Sequence, residues 1–217
     1  MPTATLEEYL ESIYRLSVAE PVVRPTQIAE AMGVSGPTVT ATLGRLLAQG
    51  FVTRDGTNVV LTPLGWERAL DIVRRHRVSE AFLVDALGMD WDVAHQEACL
   101  LEHALSPRVV DALERFLDNP ASCPHGHPIP GADGTLAAGV PGQLLCDVAA
   151  GTTASVLRVS EDDEGVLGYL GSLGLRPGQR VKVVESAPFG GPLTVKVAGT
   201  KTAISREVAS LVTVAID

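Results

Sequence analysis

The sequence predicts a mainly α-helical chain that ends in a small β domain, and three observations carry that expectation. Apolar residues recur at three- and four-residue spacings up to about Phe116. Residues 119–146 are rich in Pro and Gly and read as a linker. Beyond them apolar and polar residues alternate, the period of strands. A length of 217 residues suits one or two folded units, or more if they are small, and period and charge together give three, 1–75, 76–140 with the linker, and 141–217.

The first unit opens with Leu6, Tyr9, Leu10, Ile13, Tyr14 and Leu16 on one helical stripe. A short helix capped by Thr26 runs to Met32, and Gly33-Val34-Ser35 makes a turn. Ser35 then suits the N-cap of a third helix with Pro37 in its first turn and Val39, Leu43, Leu46 and Leu47 on its apolar face. Strands Phe51–Arg54 and Asn58–Leu61 flank the hairpin signal Asp55-Gly56. Helix, short helix, turn, helix and hairpin is the order of a winged helix-turn-helix. Helical patterns follow over 62–87 and 93–116, the second with a break expected at Ser106-Pro107. Strands are expected at 156–159, 180–184, 193–197, 202–204 and 211–216, with a helical turn over 166–173, giving a small β-barrel.

Composition excludes several classes. At 46% hydrophobic and 20% charged residues the chain is globular rather than disordered. Its longest stretches without a charged residue, 31–44 and 119–132, both contain Gly and Pro and fall short of the roughly 20 apolar residues of a membrane span. The N-terminus lacks the basic and apolar regions of a signal peptide, so a cytoplasmic location is expected. Three Cys argue against a disulfide framework. The net charge of −9 is unevenly spread: residues 76–140 carry −7, and the flanking units −1 each. That middle segment also holds all five His and two of the three Cys. Carboxylates, imidazoles and thiols concentrated together suit divalent cations, although a solvated acidic face has the same composition.

On the third helix, Ser35, Thr38 and Thr40, with Pro37, are candidates for reading base edges, since the N-terminal end of such a helix enters the major groove. Arg24, Arg45 and Arg54 are candidates for phosphates, with Thr26 and Gln27 beside them. A plain helical hairpin without DNA contact is the alternative, and the wing hairpin weighs against it. For metal, His76 and Glu80 lie four apart, as do His95 and Cys99, and Glu102 and His103 would continue that second helix face. Glu8 and Glu11 add carboxylates from the first helix, whereas Glu97 falls off the face. Cys123-Pro-His125-Gly-His127 is a further candidate without the paired-Cys spacing of structural zinc.

The strings Ser35-Gly-Pro-Thr-Val39, Arg75-His76-Arg77-Val-Ser-Glu80 and His95-Gln-Glu-Ala-Cys99-Leu-Leu-Glu102-His103 resemble the diphtheria toxin repressor family of metal-dependent transcriptional repressors. The string Leu173-Gly-Leu-Arg-Pro-Gly178, with Gly190-Gly-Pro-Leu-Thr-Val-Lys-Val197, is similar to the SH3-like domain of that family's longer members. The resemblance implies a homodimer built on a helical dimerisation domain, operator DNA as partner, and two metal sites per subunit. One would use Glu8, Glu11, Cys99, Glu102 and His103. The other would use His76, Glu80, His95, Cys123 and His125, with an acid from 161–164, chiefly Asp163 or Glu164.

Glu8 looks like the manganese-sensing branch and Cys99 like the iron-sensing one, so Mn²⁺ is the expected effector and Fe²⁺ the alternative. Ala41 replaces a Gln that the iron-sensing type carries on its recognition helix, so the operator sequence does not transfer. The function expected is repression of metal-uptake genes, not catalysis. Two rivals are a metal-dependent hydrolase, for which no nucleophile motif or phosphate loop is seen, and a thiol-based redox regulator using Cys99 and Cys123.

Overall fold

A computed structural model describes residues 3–20, 22–161 and 164–217, the side chains of Ala19 and Glu164 excepted. The chain divides into two compact units: residues 1–76, 102–105 and 130–135 form the first, and 77–101, 106–129 and 136–217 the second.

In the first unit, helices α1 (Ala4–Ala19), α2 (Pro25–Ala31) and α3 (Gly36–Ala48) precede the antiparallel hairpin β1 (Val52–Asp55) and β2 (Asn58–Leu61). Helix α4 (Pro63–Ala81) begins in this unit and its residues from Arg77 belong to the second. Tyr9, Leu10, Ile13, Ile28, Val39, Leu43 and Leu46 are wholly or nearly buried in one core with Val59 and Leu61 of the wing. Truncating one of these leucines to Ala costs about 2–5 kcal/mol through lost transfer energy and the cavity left behind. Ser35 caps α3, its Oγ accepting from Thr38 N–H at 3.4 Å.

The second unit continues α4 into a π-helical turn, Phe82–Ala86, followed by α5 (Trp91–Leu101) and α6 (Pro107–Phe116). Its sheet comprises β3 (Gln143–Leu144), β4 (Thr153–Val159), β5 (Arg180–Ser186), β6 (Leu193–Val197), β7 (Thr200–Ile204) and β8 (Val212–Ile216). Their order is β3-β8-β4-β5-β6-β7, every pair antiparallel, with helices α7 (Glu164–Ser172) and α8 (Arg206–Ser210) between strands. Alternate residues such as Val181, Val183, Val195 and Val197 are buried, as a sheet with one covered face requires.

Four expectations are corrected. Thr26 does not cap α2: Pro25 occupies the first turn, Arg24 is the N-cap, and Gln27 Oε1 accepts from Arg24 N–H at 2.9 Å. Leu47 is 37% exposed, because the core takes the face of Val39, Leu43 and Leu46. The break expected at Ser106-Pro107 is there, with Ser106 extended (ψ 153°) as a residue before Pro favours, but α5 has already ended at Leu101. Glu102 and His103 therefore lie on a turn and not on the helix face of His95 and Cys99. Residues 121–130 are not a loose linker, since Cys123, His125 and Ile129 are buried and Cys123 N–H donates to His127 C=O at 2.9 Å.

Candidate functional site

In the first unit carboxylates and imidazoles converge. His103 Nδ1 lies 2.8 Å from Glu7 Oε2. A carboxylate only accepts, so Nδ1 donates, and Nε2 on the other side of the ring faces Glu102 Oε1 at 3.3 Å and Glu8 Oε1 at 3.8 Å. His76 Nδ1 donates likewise to Glu102 Oε2 at 2.7 Å. Glu11, His76 and Glu102 each bring one ligand atom within 4.8 Å of the other two. Glu102 is 2% exposed. Burial is the main force raising its pKa, and Glu11 adds to it against the opposing pull of His76 and His103. Arg75 pairs with Glu7 at 3.2 Å and Arg15 with Glu11 at 2.7 Å, and the set of carboxylate oxygens and imidazoles that remains together around Glu102 fits a divalent ion.

The second unit holds a distinct cluster. Glu80, Cys123, His125 and Glu161 each offer a ligand atom within 4.8 Å of the others, and all four are buried. His125 Nε2 donates to Trp91 C=O at 3.1 Å, which leaves Nδ1 facing Glu80 Oε1 at 3.1 Å and Glu161 Oε1 at 3.6 Å. His95 Nδ1 donates to Glu80 Oε1 at 2.8 Å. Burial lowers the His125 pKa, but the Glu80 and Glu161 carboxylates outweigh it and the net shift is upward. Burial, with both carboxylates adding, pushes the Cys123 thiol well up. A thiol held protonated is a poor redox nucleophile, which argues against the redox reading. His95 and His125 each meet the Glu80 carboxylate through Nδ1, which fixes the orientation of both rings, as partners of metal-binding His do.

Most of the residues named from sequence fall at these clusters. His76 sits with Glu11 and Glu102 in the first unit. Cys99 is exposed on α5 in the second unit. Of the acidic run, Glu161 is at the second cluster, Asp163 lies outside the described residues, and Glu164 opens α7 with its side chain outside them. Glu97 is exposed. Glu7 and Glu161 escaped the sequence reading. Glu7 could have been found from its place beside Glu8 on a helix, and Glu161 only as one of four acids.

On the DNA-binding candidates the structure is plain. Arg24, Thr26, Ser35, Pro37, Thr38, Thr40, Arg45 and Arg54 are all exposed on the first unit. Ser35 and Thr38 share a 2.8 Å hydroxyl hydrogen bond, and Thr40 Oγ1 donates to Gly36 C=O at 3.0 Å, so each keeps acceptor capacity outward. Gln27 is half-buried and committed to Arg24 and Glu20.

Family models match along the chain: an iron-dependent repressor N-terminal DNA-binding domain over residues 1–58, the metal-binding and dimerisation domain of the same repressors over 62–131, and a FeoA domain over 143–216. The iron-dependent repressor IdeR of Mycobacterium tuberculosis is 34% identical over 90% of this chain and 89% of its own length. The chain belongs to the iron-dependent (diphtheria toxin) repressor family. The diphtheria toxin repressor of Corynebacterium diphtheriae is 37% identical over 67% of this chain and 66% of its own length. Among solved structures, a manganese-dependent transcriptional repressor in complex with manganese superposes with a TM-score of 0.89 at 35% identity, covering 98% of this chain and all of that one (100%). The manganese regulator SloR does so at 0.81 and 32%, covering 100% of both.

This repressor is therefore a metal-dependent transcriptional regulator with a winged helix-turn-helix, a metal-binding and dimerisation domain and a C-terminal SH3-like domain of the FeoA type. Its named relatives are repressors and not enzymes. No helix among the described residues is long and apolar enough to cross a membrane.

Proposed function

We propose that the protein is a Mn²⁺-responsive cytoplasmic homodimer that represses metal-uptake genes. The observation that carries the choice of metal is the first cluster's donor set: Glu8, Glu11 and Glu102 supply hard oxygens beside His76 and His103. Cys99, carried over from the family resemblance, would be a further donor and is what keeps Fe²⁺ as the alternative. Glu80, His95, Cys123, His125 and Glu161 would form the second site, with Glu161 doing what the sequence reading assigned to Asp163 or Glu164.

A bound ion supplies positive charge that offsets the converging carboxylates. Glu8 and Glu11 sit on α1, and α1 packs in the same core as α3, so holding these carboxylates against Glu102 and His103 restrains the element that supports the recognition helix. Metal then favours the DNA-competent population only by as much as it binds that state better, and DNA must strengthen metal binding by the same factor. Ser35, Pro37, Thr38 and Thr40 would read bases while Arg24, Arg45 and Arg54 hold phosphates. Thr26 would lie beside them, and Gln27 serves the start of α2.

Fluorescence anisotropy of chelator-stripped protein on its own upstream DNA at fixed salt tests this. Binding that appears with Mn²⁺ at lower concentration than with anaerobic Fe²⁺ or Zn²⁺ is expected; binding indifferent to metal refutes it. Ser35→Ala should cost about 1 kcal/mol of stability through the lost cap and weaken operator binding further.

Stability of the metal-free protein gives an independent check. His125, Cys123 and Glu102 all have pKa values raised above their ordinary ones, so each stabilises the fold at low pH and loses that contribution as pH rises through its folded value. Glu102 begins to lose its contribution above pH 4.5, His125 above 6.5 and Cys123 only above 9.0, so the chelated protein should melt lower as pH rises past 6.5, chiefly through His125, and Mn²⁺ should remove the decline by taking the protons' place. A chelated protein whose melting temperature climbs past that pH contradicts the assignment.

A further inference from the structure

We propose that Glu7 is the residue that positions His103 for metal, an inference resting on the reading of the first cluster as a metal site. Adjacent helix residues point about 100° apart, so Glu7 and its neighbour Glu8 cannot play the same part. Glu8 is exposed and near His103 Nε2, whereas Glu7 is 9% exposed and takes the opposite ring nitrogen. Its Oε2 accepts from His103 Nδ1–H at 2.8 Å, and its Oε1 accepts from Arg75 Nη2 at 3.2 Å. Arg75 in turn donates from Nη1 to the carbonyl of Glu102 at 2.7 Å and is anchored by Asp71 Oδ2 at 3.1 Å.

The consequence is chemical as well as mechanical. A neutral imidazole carries its proton on one nitrogen only, and Glu7 holds it on Nδ1, so Nε2 offers its lone pair toward Glu8 and Glu102. The buried Glu7 charge is matched by Arg75, which also fixes the backbone of the Glu102 ligand. One carboxylate and one guanidinium thus join α1, α4 and the turn carrying Glu102 and His103. Partners of this kind orient a metal-binding His, and removing them costs about 10–100-fold in metal affinity.

The test compares wild type, Glu7→Ala and Glu7→Gln with two readouts. Long-range proton–nitrogen NMR correlations of the metal-free protein, at a pH where the ring is neutral, report the His103 tautomer. Calorimetric titration with Mn²⁺ alone reports affinity. Wild type should show the Nδ1–H tautomer. Glu7→Ala should shift His103 toward Nε2–H and weaken Mn²⁺ binding by about 10–100-fold, and Glu7→Gln, whose carbonyl still accepts, should recover part of both. An Nε2–H tautomer in wild type, or a Glu7→Ala protein with unchanged tautomer and affinity, overturns the proposal. If Glu102→Gln leaves Mn²⁺ binding untouched, the metal-site reading itself fails and takes this proposal with it, whereas loss in Glu102→Gln without loss in Glu7→Ala sinks the proposal alone.

Discussion

Glu102→Gln should leave the protein folded and abolish metal-stimulated operator binding. The carboxylate is 2% exposed, with one oxygen 2.7 Å from His76 Nδ1 and the other 3.3 Å from His103 Nε2. An amide of the same shape keeps an acceptor for His76, and Arg75 bonds the Glu102 backbone carbonyl, which the substitution leaves in place. Burial already disfavours the charged carboxyl, so neutralising it relieves a desolvation cost, and the metal-free protein should melt within a few degrees of wild type. The ion, however, loses the charged donor shared between two imidazoles. Affinity should fall by more than the roughly 10–100-fold typical of outer-shell changes, and the metal-induced rise in DNA anisotropy should vanish at any Mn²⁺ concentration that saturates wild type. A Glu102→Gln protein that responds with the wild-type midpoint refutes the site.

The second large effect is expected at Gly126. Its φ is +89°, and a Cβ there would fall 2.0 Å from the carbonyl oxygen of Leu157 and 2.8 Å from Cα of Arg158, backbone atoms that cannot swing aside. Gly126→Ala should cost about 1–2 kcal/mol for the left-handed conformation and about 1–3 kcal/mol more for the overlap. Because Gly126 lies between His125 and His127 and opposite β4, the damage should fall on the Glu80, Cys123, His125 and Glu161 cluster. Gly151→Ala, in the same unit, is the control: φ is +89° with nothing within 4 Å, so only the conformational cost of about 1–2 kcal/mol applies. Trp91 stacks at 5.0 Å from the His125 ring, so urea unfolding followed by its fluorescence in a Trp66→Phe background reads the second unit. Equal midpoints for the two glycine variants would show that the close approach at Gly126 is unimportant.

Much of the protein was legible before any coordinates. The stripe from Leu6 to Leu16, the Ser35 cap and the Asp55-Gly56 hairpin are local signals, each decided by neighbours a few residues away, and they specify the DNA-binding unit. The alternating valines of β5 and β6 did the same for the sheet. The sequence also assembled the right residue types for metal, because acids, His and Cys crowd into one segment. Where it failed, the deciding force was not local. It continued a helix through Glu102 and His103 to the break at Ser106-Pro107, whereas α5 ends at Leu101 and both residues lie on a turn with the Glu102 carboxylate buried. It read 119–146 as linker from its Pro and Gly, although Cys123, His125 and Ile129 are buried, with Gly126 pressed against Leu157.

The chain alone therefore determined which elements form, because periodicity, caps and turns are short-range. Only the tertiary structure decided which donors meet: Glu7 rather than Glu8 behind His103, His76 with Glu102, and Glu161 out of a run of four acids. A buried polar atom takes its partner from whatever packing brings within about 3 Å, and residues as far apart in sequence as Glu7 and His103 have no spacing from which that partner can be read.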